Sequence, residues 1–120
     1  MTMNKLELEN RLINFSVEVV DFITQLERID ANVHLKDQAI RSCTACSLNY
    51  GEAQSAESRK DFIHKIGIVM KELRETQINL KMLRRLNPES QQEKAGALIR
   101  ENDELLAIFH RTIQTARMKL

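Results

Sequence analysis

Residues 38–83 read QAIRSCTACSLNYGEAQSAESRKDFIHKIGIVMKELRETQINLKML, and this stretch decides the fold. Its second half carries Phe62, Ile66, Val69, Leu73, Thr76, Leu80 and Leu83 at alternating spacings of four and three. That is the period of a helix with one apolar edge. Ile63, Gly67 and Met70 give a shorter second row. Ser58, with Asp61 three positions on, has the form of a helix N-terminus: a hydroxyl can accept from a free backbone amide, and an acid suits the first turn. Ser55 is a competing cap. The first half places Leu35, Ala39, Ser42, Cys46, Asn49 and Ala53 in one row, with Ile40, Cys43 and Tyr50 alongside. Most of these are small, so close approach to neighbouring helices is possible. The reading is two antiparallel helices, about Leu35 to Gln54 and Ser58 to Leu86, joined by a tight turn. Gly51 costs about 1 kcal/mol relative to Ala inside a helix, which predicts a tight contact or a weak last turn there.

Before this hairpin, Leu8, Leu12, Phe15, Val19, Phe22, Leu26 and Ile29 repeat at four and three. They predict a helix from about Asn4 to Ile29, with Ile13, Val17 and Val20 widening its buried stripe. Asp30 to Asn32 break the pattern and read as a loop. After the hairpin, Asn87-Pro88 is a stop and restart, since Pro suits the first turn of a following helix. Ala95, Leu98, Asn102, Leu105, Phe109, Thr112 and Ala116 give the last helix its edge, with Ile99, Leu106, Ile113 and Leu120 beside it. Short connections make successive helices antiparallel. The expected fold is all-α, an up-down-up-down four-helix bundle, as one domain over residues 1–120.

Composition agrees. The 120 residues include 3 Gly, 1 Pro and no Trp, which favours helix over sheet. The net charge of +1 argues against a general polyanion binder. The charge is uneven, however: residues 1–30 hold three basic and six acidic groups, and residues 56–86 hold eight and four. An anionic partner is expected at the third helix. No leader-like or membrane-spanning apolar run is present, so a soluble, cytoplasmic protein is expected.

Three constellations invite a chemical reading. Cys43-x-x-Cys46 has redox spacing but sits mid-helix with no preceding strand, and no second pair completes a zinc site, so small packing residues are the better reading. His34, His64 and His110 stand alone, and Glu72-x-x-Glu75 has no His at helical metal spacing. No catalytic, metal or cofactor site is expected. The charged set Arg41, Asn49, Glu52, Lys65, Lys71, Glu72 and Glu75 is more informative. In a hairpin turning near residue 56, Arg41 comes level with residues 71 to 75, and Asn49 and Glu52 with residues 60 to 65. A planar guanidinium can fork onto a carboxylate there, so a polar clamp fixing register within the chain or between subunits is favoured over catalysis. Finally, Lys60, His64, Lys71, Arg74, Lys81 and Arg85 share another face of the third helix. A solvated face is the simpler reading, and phosphate contact with RNA or DNA the functional one.

Arg41-Ser42-x-Thr44, Asn49-Tyr50-x-Glu52-Ala53, Ala56-x-Ser58, Asp61-Phe62-Ile63-x-Lys65, Ile68, Lys71-Glu72 and Glu75-Thr76 also resemble the bacterial four helix bundle protein family, known too as the 23S rRNA intervening-sequence protein family. Leu98-x-x-Glu101-x-x-Glu104-Leu105 and Thr115 resemble its last helix, so the likeness covers residues 38–117. Cys43, Ala45 and Cys46 stand where the family often has Gly, Ser and Ile. Gly51 stands for a frequent Arg, and Ile78-Asn79 for a common aromatic pair, so contacts made by those groups are not carried over. The resemblance implies a homo-oligomeric ring, commonly a pentamer, without catalytic activity or cofactor. Some members are encoded within sequences interrupting ribosomal RNA genes. Others resemble accessory proteins of diversity-generating retroelements, which engage a reverse transcriptase and RNA. The expectation is a self-associating interaction module, with RNA or a nucleic-acid enzyme as the other possible partner.

Overall fold

The computed structural model describes residues 3–120, and every regular element among them is an α-helix: α1 Lys5–Thr24, α2 Asp30–Gln54, α3 Arg59–Leu86 and α4 Gln92–Met118. Each helix packs on its chain neighbours, and α1 closes onto α4. Residue numbers run in opposite senses across each contact: Arg41 meets Glu72 and Glu75 while Glu52 meets Lys65. The result is the expected up-down-up-down bundle, with extents of 48 × 27 × 19 Å.

The 4-3 rows form the core. Leu12, Phe15, Val19 and Phe22 of α1 are buried with Ile66, Val69, Leu73 and Leu80 of α3 and Leu98, Leu105 and Phe109 of α4. α2 contributes the small side chains Ala39, Cys43, Cys46 and Ala53. Its one buried ring, Tyr50, packs edge-on against Phe109 with centroids 5.5 Å apart. Edge-to-face contact places a ring's positive rim on the other's negative face. Ser58 caps α3 as expected, its hydroxyl accepting from the Asp61 amide at 3.0 Å. Asn4 caps α1 by accepting from Glu7.

Several boundaries and faces differ from the sequence expectation. α1 stops at Thr24 rather than Ile29, and residues 30–32 begin α2 rather than forming a loop. Leu26 misled the pattern because it remains buried after the helix has ended. Lys36 of α2 donates to the Leu26 carbonyl at 2.6 Å, which satisfies a backbone acceptor left by the early stop. Asn32 is fully buried; it donates to the Glu27 carbonyl and exchanges side-chain bonds of 2.9 Å with Asn87. That pair ties the α1–α2 connection to the α3–α4 connection. Pro88 does not open α4. It lies in a five-residue connection, residues 87–91, because Gln92 folds back and donates to the Arg84 and Asn87 carbonyls at 3.0 and 2.8 Å. Gln91 accommodates that reversal with φ 49°. Ile13, Val17 and Ile40 face outward and Val20 is only half-buried, where a wider core stripe was expected. Gly51 meets nothing within 4 Å of where a Cβ would stand, so the expected tight contact is absent; it lies in the last turn of α2.

Candidate functional site

The α2–α3 hairpin brings Arg41 between two carboxylates. Its Nη1 donates to Glu72 Oε2 at 3.2 Å and its Nη2 to Glu75 Oε2 at 2.6 Å, with Gln38 Oε1 at 3.2 Å from Nη2. The guanidinium thus bridges two acids instead of forking onto one. The arrangement is lopsided: the Arg41 side chain is 52% exposed and that of Glu72 is 8% exposed. The hydrogen bond that Arg41 donates to Glu75, helped by the charge of Glu72, holds the guanidinium above its ordinary pKa. On the inner side of that bridge, the buried hydroxyls of the adjacent Ser42 and Thr76 meet at 2.7 Å. Further toward the turn, Lys65 pairs with Glu52 at 3.6 Å. Five members of the expected clamp therefore come together. The other two do not: Asn49 turns back to the Ala45 carbonyl of its own helix, and Lys71 is exposed and makes no ion pair among the described residues.

Every other lateral contact carries a comparable tie. Between α1 and α2, the Ser16 hydroxyl lies 2.8 Å from both the Cys43 carbonyl and the Ser47 hydroxyl. Between α3 and α4, Gln77 donates to Asp103 at 2.6 Å, and buried Asn102 donates to the Leu73 carbonyl at 3.0 Å. Between α1 and α4, Arg11 forks onto Glu101 with two bonds of 2.7 Å and reaches Glu104 at 3.3 Å. The bonds that Arg11 donates to Glu101 raise its pKa. Sequence reasoning missed this pair. The α2–α3 register follows from one short turn, whereas Arg11 and Glu101 are 90 residues apart across three connections.

The two cysteines are fully buried and unpaired. Burial pushes the Cys43 thiol up to about 11 and Cys46 higher still. Reactive cysteines are lowered, not raised, so these behave as small packing residues. Among the described residues no three His, Cys, Asp or Glu side chains converge as metal ligands. Among the described residues no helix is long and apolar enough to cross a membrane.

The basic stripe of α3 holds together. Lys60, His64, Lys71, Arg74, Lys81 and Arg85 are all exposed, and none makes an ion pair among the described residues. At 1.5 Å per residue the stripe runs roughly 37 Å along the helix. The positions interleaved on that face, Gly67 and Ile78, carry no charge.

A second exposed face is apolar. Leu6, Ile13 and Val17 of α1 fall on one side of that helix, and Ile40 and Leu48 of α2 on one side of theirs. Ser16 and Ser47, bonded to each other, set the two helices level. Val17 and Leu48 follow those serines in sequence, and in an antiparallel pair both therefore turn outward on the same side. They are 60% and 70% exposed.

A protein of unknown function from the S23 ribosomal protein family of Bacteroides thetaiotaomicron VPI-5482 has a similar crystal structure. Its TM-score is 0.83 at 27% sequence identity, over 93% of this chain and 99% of that one. No curated protein matches. The model of the 23S rRNA-intervening sequence protein family matches residues 4–111. With nearly the whole bundle inside that match, the chain belongs to the 23S rRNA-intervening sequence protein family.

Proposed function

We propose that this bundle is a non-enzymatic interaction module that works by associating with copies of itself. The observation that supports the reading is the exposed apolar face formed by Leu6, Ile13 and Val17 of α1 with Ile40 and Leu48 of α2. Large aliphatic side chains gathered on one exposed face characterise a surface that is covered by a partner. The polar clamp supports the same reading from inside, since its groups satisfy one another and serve alignment. A ring is the arrangement that the family resemblance implies, and five copies its commonest form. The buried, protonated cysteines suit the cytoplasm, where thiols stay reduced. Light scattering on the purified chain tests this. A pentamer gives five times 13.9 kDa. Val17→Glu combined with Leu48→Glu should return the mass to a single chain while leaving helicity unchanged. A wild-type mass of one chain overturns the proposal.

The basic stripe favours a second reading, RNA held by charge. Six aligned cationic or titratable positions without an acid between them suit phosphate contact, and repetition around an oligomer would make weak contacts avid. Base readout is not expected, because no exposed aromatic ring lies along the stripe to stack on bases. RNA affinity measured at two salt concentrations tests it. Binding should weaken with salt, and each lysine or arginine of the stripe replaced by Gln should lower the slope by roughly 0.7. No binding at low salt rejects it.

A further inference from the structure

A cleft of about 800 Å³ opens at the end of the bundle where α1 and α3 begin and α4 ends. Four cationic side chains line it: Lys5 from α1, Arg59 from α3, Arg111 from α4 and Lys119 just after α4. All four are exposed, none has an ion-pair partner among the described residues, and no carboxylate lines the cleft. Arg11, Arg41 and Lys65, by contrast, each meet an acid. Like charges gathered around one concavity repel, and low-dielectric walls concentrate their field on whatever enters.

The floor has the opposite character. Leu8 and Ala116 are buried there, and Phe62 and Ile108 are half-buried, packing on the core with one side and facing the cleft with the other. Thr115 adds an exposed hydroxyl at the rim. The volume lies within the range of clefts that enclose small ligands. A free inorganic anion would use the rim and leave the floor wet. A neutral hydrocarbon would use the floor and leave the cations uncompensated. Only a molecule with both parts satisfies the whole surface.

We propose that this cleft binds a small amphiphilic anion, a carboxylate or phosphate head on an apolar body of alkyl character, with the head among Arg59, Arg111, Lys5 and Lys119 and the body over Phe62, Ile108 and Leu8. The site is independent of the self-association reading and of the α3 stripe. Its cations come from three helix ends, and none belongs to the stripe.

Titration calorimetry on the full chain, below micelle-forming concentrations, tests this with hexanoate, octanoate, decanoate and decyl phosphate. Inorganic phosphate and decyl maltoside serve as head-only and body-only controls. Saturable binding of one molecule per chain is expected, with each added methylene raising affinity about threefold to fourfold until the floor is covered. Decanoate compared with decyl phosphate identifies which head fits better. The double variant Arg59→Gln, Arg111→Gln should weaken decanoate about tenfold, as loss of charge-assisted contacts at an exposed rim requires. Arg85→Gln, at the opposite end of α3, should not. Amide NMR shifts should map to Thr112 and Thr115. Three results overturn the proposal: maltoside binding as tightly as decanoate, full affinity in the double variant, or no binding by any chain length. Light scattering on the same samples reads the oligomeric state separately, so failure of one idea is distinguishable from failure of the other.

Discussion

Replacing Arg11 by Met and Glu101 by Gln, singly and together, measures what one side-chain pair contributes to closing α1 onto α4. Glu104 supplies an internal comparison, because the same guanidinium reaches both acids, at 2.7 and 3.3 Å. In water, unit charges at those separations attract by about 1.5 and about 1.3 kcal/mol, so distance alone barely separates them. Burial and geometry do. Glu101 is 26% exposed and accepts two parallel bonds, whereas Glu104 is 67% exposed and accepts one. A hydrogen bond to a charged group contributes about 1.5–3 kcal/mol when desolvated. An exposed pair contributes about 0.2–1 kcal/mol. With roughly a quarter of each side chain still wet, Arg11–Glu101 belongs between these ranges, at about 1–1.5 kcal/mol, and Arg11–Glu104 near the bottom of the lower one. The assay is urea unfolding of both double-mutant cycles at one fixed protein concentration, since any self-association makes stability depend on it. Repeating it in high salt should erase the Glu104 coupling and leave most of the Glu101 coupling. Equal couplings for the two glutamates, or a Glu101 coupling under about 0.3 kcal/mol, refute the reasoning.

Arg41→Ala should lower Tm by stranding the buried Glu72 carboxylate, and Glu72→Gln in that background should recover part of the loss; an unchanged Tm and oligomer mass in Arg41→Ala would remove the clamp from the account. Stability should be level through neutral pH and fall as pH rises from about 9 toward about 11, because the unfolded thiols release protons that the folded Cys43 and Cys46 retain. Unfolding measured across that window in wild type and in Cys43→Ala, Cys46→Ala should show the slope shrinking in the variant. Neither thiol should react with a disulfide reagent at neutral pH until the chain is unfolded. Gly67→Ala should stabilise the chain by about 1 kcal/mol, since a Cβ there meets nothing within 4 Å and helix propensity alone decides the sign; a lower Tm argues against it.

The four helices and the α2–α3 alignment were legible in the sequence because both rest on short-range information. A 4-3 row needs only local spacing, and a hairpin with a short turn maps residue 41 onto residues 72 and 75 by reflection. What failed needed information from farther away. Leu26 continues the α1 row past the end of the helix, because a buried residue in a connection satisfies the same hydrophobic pattern as one in a turn of helix. Val17 and Ile13 read as a wide core face, and periodicity has no means of telling a face against a neighbouring helix from one against solvent. Arg11 and Glu101 were invisible as a pair because α1 meets α4 only after the whole bundle closes. The cationic end cleft escaped for the same reason, its four charges gathered from the ends of three helices.

The distribution of polar groups bears on why the outer faces are free for other uses. Each lateral contact holds a polar tie within an apolar row: Ser16 with Ser47, Arg41 with Glu72 and Glu75, Gln77 with Asp103, and Arg11 with Glu101. An apolar row by itself is tolerant of sliding, because one turn of about 5.4 Å brings a similar side chain into each place. A slide of α2 past α3 by that amount would leave Glu72 buried without its cation and part the Ser42 and Thr76 hydroxyls, and unpaired buried groups cost far more than the pairs gain. Alignment is therefore fixed from within, by groups already satisfied in one chain. The α1–α2 face, the α3 stripe and the end cleft are presented on a frame that does not need a partner to set its register, so association through any of them should proceed with little change in the backbone.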